Sequence, residues 1–169
     1  MNKLDANVIG ELIGVLGQEA RVYESLLKMS KDKTRIIVEG KVGELENMVK
    51  LEQSLVLQVG RLEAMREEIV EKCSKQTGDD ISNLTITELQ KYVDEEDAQK
   101  LKNAQEHMAG ILDGLKSANE LNARLIKNSL DFINFSINMF AGISTGNNNY
   151  GSTGQASGTE KRSFFDIKL

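Results

Sequence analysis

The 169-residue chain holds one cysteine, Cys73, and one histidine, His107, and these two side chains bound the chemistry open to it. A cysteine nucleophile needs a base beside it, and with a single histidine in the chain Cys73 has no obvious one. One cysteine also excludes an intramolecular disulfide and a thiolate metal cage. No phosphate-cradling glycine loop, nucleophile elbow, paired-histidine zinc motif or calcium loop occurs. The residues form no catalytic constellation. The chain is read as a non-enzyme without a cofactor or metal.

His107 leaves one chemical alternative. A lone histidine on a helix can accept a phosphoryl group, but phosphotransfer helices place a lysine two residues further on, where this chain has Ala109. Its neighbour Met108 lies on the packing seam, which puts His107 at the edge of a bundle. A histidine phosphotransfer domain is therefore kept as a remote alternative.

The elements that must carry these residues are helices. The chain has no proline, no tryptophan and 5% aromatics, while charged residues reach 28%. Abundant Glu, Lys, Leu, Gln and Ala at helical periodicity point to long helices around a seam-like core. A net charge of −5 argues against nucleic acid, which needs a clustered basic surface. Lys28, Lys31, Lys33 and Arg35 are interrupted by Asp32 and read as a solvated face. Asp5 and Glu11 break any secretory apolar region at the start, and no apolar run approaches the ~20 residues of a membrane span. A soluble cytoplasmic protein, with no direct membrane insertion, is expected.

The first helix spans about 4–38, with Ile9, Leu12, Ile13, Leu16, Ala20, Tyr23 and Leu27 forming one stripe. Gly40 ends it in a left-handed turn. The second helix spans about 42–73, with Leu45, Met48, Leu55, Val59, Leu62 and Ile69 on its seam, and the short connection forces the pair antiparallel. After the polar stretch SKQTGDD, Thr85 and Glu88 fit a capping box for a short helix over 86–93. Asp94 then caps the longest helix, 94–142. At ~1.5 Å per residue the first two helices reach roughly 50 Å and the last roughly 75 Å, so it either outruns the Gly40 hairpin or kinks near Gly110 or Gly114. The fold class is all-α, an elongated antiparallel hairpin plus a long third helix. A helical bundle over 1–143 is followed by a flexible Gly/Ser/Asn-rich tail over 144–169 that ends in FFDIKL.

Counting by sevens along the longest helix, Leu101, Met108, Leu115, Asn122 and Ser129 share one seam line. Ala104, Ile111, Ala118, Leu125, Phe132 and Met139 share the other. An asparagine in such a seam gives up stability and sets register and partner number. Asn119, one turn earlier, and the seam residues Glu52 and Arg66 of the second helix are read with Asn122 as a polar seam. A softened bundle or a direct partner contact is the other reading. Past Asn128, Phe132, Ile133, Phe135, Ile137, Met139, Phe140 and Ile143 occupy an arc of roughly 200°, where a core-facing stripe needs little over ~100°. Part of that arc must meet something besides the intramolecular bundle: a homodimer seam, or a partner protein in helix-in-groove contact.

In "IIVEGKVGELENMVKLEQSLVLQVGRLEAMREE", in "LNARLIKNSLDFINFSINM", in the following "YGSTGQ" and in the FFDIKL end, the chain resembles the FlgN-type flagellar export chaperones. The long Gly/Asn/Ser spacer and the sparse first-helix stripe depart from the family pattern. The resemblance implies a cytoplasmic protein that binds the hook–filament junction proteins, keeps them from premature assembly and delivers them to the flagellar type III export gate. It implies substrate contact through Leu125, Phe132, Ile133, Phe135, Ile137, Met139 and Phe140. It also implies that Tyr150 docks on the cytoplasmic domain of the gate, with Phe164 and Phe165 as fallback anchors. A structural coiled-coil adaptor that self-associates through the last helix is the alternative.

Overall fold

Asp5 sets the start of the first helix. Its carboxylate accepts the Asn7 backbone N–H at 2.8 Å, and α1 runs from there over Ala6–Val38. At the other end Gly40 takes φ 67°, with its N–H on the Ile37 carbonyl and the Lys41 N–H on the Ile36 carbonyl, both at 3.1 Å. This double bond pattern needs a left-handed residue between helix and turn, which glycine adopts without a Cβ clash. Helix α2, Val42–Thr77, follows at once. The computed structural model describes residues 3–81 and 84–146, and among the described residues there is no strand.

The second helix passes its expected end at Cys73. It gains a further turn to Thr77 and stops at Gly78, which takes φ 79° and donates its N–H to the Ser74 carbonyl at 2.8 Å. The Thr85 hydroxyl then accepts the Glu88 N–H at 3.2 Å and starts α3, Ile86–Leu89, which tightens into a 3-10 turn over Gln90–Tyr92. The Asp94 carboxylate accepts the Asp97 N–H at 2.9 Å and starts α4, Glu95–Gly146. That helix is continuous through Gly110 and Gly114. It extends beyond the expected end near 142, so residues 144–146 belong to helix rather than tail. Residues 147–169, with Tyr150, Phe164 and Phe165, lie outside the described residues.

The chain divides into two compact units, Met1–Ser129 and Leu130–Leu169. In the first, α1 pairs with both long partners. Glu11, Glu19, Tyr23 and Lys33 meet Lys72, Arg66, Glu63 and Glu52 in that order, so α2 runs antiparallel to α1. Glu24, Ser30 and Thr34 meet His107, Asn119 and Asn122, so α4 runs parallel to it. Serving two neighbours widens the buried face of α1 beyond the expected stripe. Val8, Val15, Val22, Leu26 and even Glu19 and Ser30 are buried along with Ile9, Leu12 and Leu16.

Two apolar clusters fill this unit. One packs Leu4, Ile9, Leu12 and Leu16 against Ile69, Cys73, Leu84, Leu89 and Leu101, so the α3 segment closes that end. The Leu4 N–H on the Tyr92 carbonyl and the Asp5 N–H on Gln76 Oε1, both at 3.0 Å, tie the N-terminus to it. The second cluster joins Val22 and Leu26 to Val59 and Leu62, with Tyr23, Leu55 and Leu115 alongside. In the second unit, the described residues 130–146 are the last turns of α4.

Candidate protein-binding surface

The seam of α4 keeps its apolar register as far as Leu125. Leu101 and Ile111 are buried, Met108, Leu115 and Leu125 half-buried, and Asn122 is 5% exposed. Buried asparagine needs partners for both ends of its amide, and α1 supplies them. Asn122 Oδ1 accepts from the Thr34 hydroxyl at 2.7 Å, and Nδ2 donates to the Ser30 carbonyl at 2.8 Å and Ser30 Oγ at 3.2 Å. Ser30 Oγ in turn donates to Asn119 Oδ1 at 2.7 Å. Among the described residues no buried side-chain polar atom lacks a partner.

Glu52 meets the same stretch of α1 from the other side. Lys33 Nζ lies 2.6 and 2.7 Å from its two carboxylate oxygens, and the Lys33 side chain is 13% exposed. Lys33 thus leaves the solvated face expected for the basic run. Arg66 belongs elsewhere: its Nε donates to buried Glu19 at 3.0 Å, about four helical turns from Lys33 toward the start of α1. Next to that pair the Tyr23 hydroxyl donates to Glu63 at 3.3 Å, and burial, then the Glu63 carboxylate, holds the phenol above its usual range. The four polar seam residues are therefore split between two levels of α1. Ser30 and Thr34, which complete the asparagine contacts, are absent from any periodicity argument because both read as surface residues.

Residues 130–143 are built differently. Leu130, Ile133, Ile137 and Phe140 recur at three- and four-residue steps on one side of the helix. Phe132, Phe135, Met139 and Ile143 recur on another. All eight are exposed, from 47% at Met139 to 70% at Phe132. Asp131, Asn134 and Asn138 take the remaining narrow side. Ser136 turns its hydroxyl inward on the Phe132 carbonyl at 2.9 Å and so presents no competing polar group. Leu130 extends the expected set. Leu125 does not share its exposure, since it is half-buried in the first unit. An apolar face of this extent, with one carboxylate in fourteen residues, suits burial against another helical surface and offers nothing to a small polar ligand.

Neither chemical candidate sits in a catalytic setting. Cys73 is fully buried, and burial pushes its thiol up. His107 is exposed with Nε2 2.9 Å from Glu24 Oε1. Among the described residues no cluster of three His, Cys, Asp or Glu side chains can hold a metal, and no helix is long and apolar enough to cross a membrane.

A family model described as FlgN protein matches residues 1–158. The YvyG protein of Bacillus subtilis (strain 168), itself uncharacterized, is 29% identical over 118 residues, which cover 70% of this chain and 71% of that one. No solved structure gives a significant match.

Proposed function

The chain belongs to the FlgN family of flagellar export chaperones, and from that premise we propose that it captures the hook–filament junction proteins in the cytoplasm on residues 130–143. The observation carrying this reading is the exposure of eight large apolar side chains on one fourteen-residue helical stretch. In this reading the junction protein offers a terminal coiled-coil segment that is apolar on one face. Laid along Phe132, Ile133, Phe135, Ile137, Met139 and Phe140, it buries that face and is kept from assembling early. Each large apolar side chain so covered contributes roughly 1.5–3 kcal/mol before the cost of ordering the segment is subtracted. Delivery then requires a second contact with the cytoplasmic domain of the export gate. Tyr150, a large amphipathic side chain with few rotamers, is the anchor in this reading, with Phe164 and Phe165 as its fallback.

The test is co-purification from the native cytoplasm, comparing the wild-type chain with Ile133→Asp/Ile137→Asp. The junction proteins, identified by mass spectrometry, should accompany the wild type and be lost from the variant. Equal recovery with both chains contradicts the proposal.

A further inference from the structure

The first unit carries an apolar surface of its own that the capture reading does not use. A groove of about 220 Å³ opens over α1 between α2 and α4, lined by Tyr23, Leu26, Glu52, Val56, Val59, Leu115 and Asn119. Val56 also lines an adjoining hollow of about 420 Å³ with Val49, Gln53 and Leu57. Val42, Val49 and Val56 stand seven residues apart and are all exposed, so they extend one wall along α2. Leu112 and Ile126 stand seven residues on either side of Asn119 and extend the opposite wall along α4; both are about 40% exposed (41% and 40%). The acidic group among the lining residues, Glu52, is neutralised by Lys33 at 2.6 Å. Three helices thus leave an uncharged trough where a four-helix bundle would have its fourth member.

We propose that this trough receives residues 130–143 from a second copy of the chain, in a reciprocal dimer. The lengths agree to within a turn. Glu52 and Asn122 meet the neighbouring residues Lys33 and Thr34 of α1, so Val49 and Val56 stand opposite roughly 118–125 of α4. The two walls flank the trough together over about 12 Å, against about 15 Å from Leu130 to Phe140, each wall running on past the other at one end. The charges agree as well. The face formed by Leu130, Ile133, Ile137 and Phe140 carries no ionised group, while Asp131 lies on the narrow polar side and stays outside the trough. Every copy has one helix to give and one trough to fill, so a two-fold axis satisfies both surfaces and closes the assembly. Half of the exposed apolar surface of each helix plus the trough walls amounts to on the order of 800 Å² per chain, the size of an ordinary stable interface. The dimer does not rest on the chaperone reading.

Light scattering on the full chain across a concentration series is the test, using two double variants. Val49→Glu/Val56→Glu charges the trough, and Ile133→Asp/Ile137→Asp charges the helix. All four positions are at least 39% exposed, so neither change disturbs a core; circular dichroism checks this, and single Val56→Gln serves if the trough variant loses helicity. The wild type should pass from one chain to two. Each variant alone should weaken self-association by at least about tenfold, a loss of ~1.4 kcal/mol. An equimolar mixture should associate again, because the trough variant still has an intact helix and the helix variant an intact trough. A wild type that stays monomeric overturns the proposal. So does a trough variant that dimerises normally, which would mean that two helices pair with each other, and so does a mixture that fails to associate.

Discussion

Asn122 and Ser30 stand 92 positions apart and meet through a hydrogen bond from Asn122 Nδ2 to the Ser30 carbonyl at 2.8 Å. The contact pins one turn of α4 to one turn of α1, and its worth depends on what remains when it is broken. Asn122→Ala takes away the acceptor of the Thr34 hydroxyl and leaves polar groups buried without their best partners. Urea unfolding should show a loss of about 1–3 kcal/mol. Replacing Ser30, Thr34, Asn119 and Asn122 together by apolar residues removes donors and acceptors at once. That variant should be near neutral or more stable than wild type, at the expense of a unique register.

The two ion pairs Glu19–Arg66 and Glu11–Lys72 have the same 3.0 Å separation and different surroundings. The Glu19 side chain is 5% exposed, whereas Glu11 and Lys72 are both about half exposed (53% and 52%). Arg66→Ala strands a buried carboxylate and should cost about 2 kcal/mol, tempered by the partial exposure of the arginine itself. Lys72→Ala should cost less than about 0.5 kcal/mol and lose even that in salt. Thermal unfolding of both variants at low and high ionic strength separates them.

The helices were legible in the sequence because their punctuation is local. Gly40, Thr85 and Asp94 each act within four residues, and each marks an end where expected, whereas the cap at Asp5 starts α1 two residues later than the expected start near residue 4. The end of α2 was not, because Thr77 hides a stop at Gly78 inside a run of polar residues. The apolar arc at 132–143 was visible from its breadth alone. Partner choice was not: periodicity shows that Asn122 faces the bundle, and says nothing of which helix holds Ser30 and Thr34. Nor does it show that α1 serves two neighbours, which is why Lys33 read as solvated and is in fact enclosed, and why buried Glu19 lay outside the expected stripe.

Cys73 reports on opening of the end closed by α3. Its thiol is fully buried, and burial raises its pKa. A raised folded-state value means that the stability contribution is intact below the unfolded thiol pKa of ~8.5 and declines as pH climbs toward the folded value. A water-soluble thiol reagent at pH 8 should therefore label the native chain at least about a hundredfold more slowly than the urea-unfolded chain. Labelling at the unfolded rate would mean that the α3 segment does not cover the core.

In the proposed function Tyr150 acts in delivery and not in loading, and one substitution tests this. Tyr150→Ala should leave the affinity for a junction protein unchanged and weaken docking of the loaded chaperone on the isolated gate domain by roughly tenfold, the ~1.4 kcal/mol expected of an aromatic anchor. Titration of both complexes against that domain measures it. Equal affinities remove Tyr150 from this role, and loss of junction-protein binding transfers it to the substrate contact.

The proposed capture surface is tested most directly by calorimetric titration of a purified junction protein into the wild-type chain and into Ile133→Asp/Ile137→Asp. Two charges in the middle of the apolar helix face forfeit its burial and add a desolvation penalty, so affinity should fall at least about a hundredfold, ~2.7 kcal/mol, while helicity is retained. Binding by the variant at wild-type affinity would contradict the account, since residues 130–143 would then not be where the substrate is held.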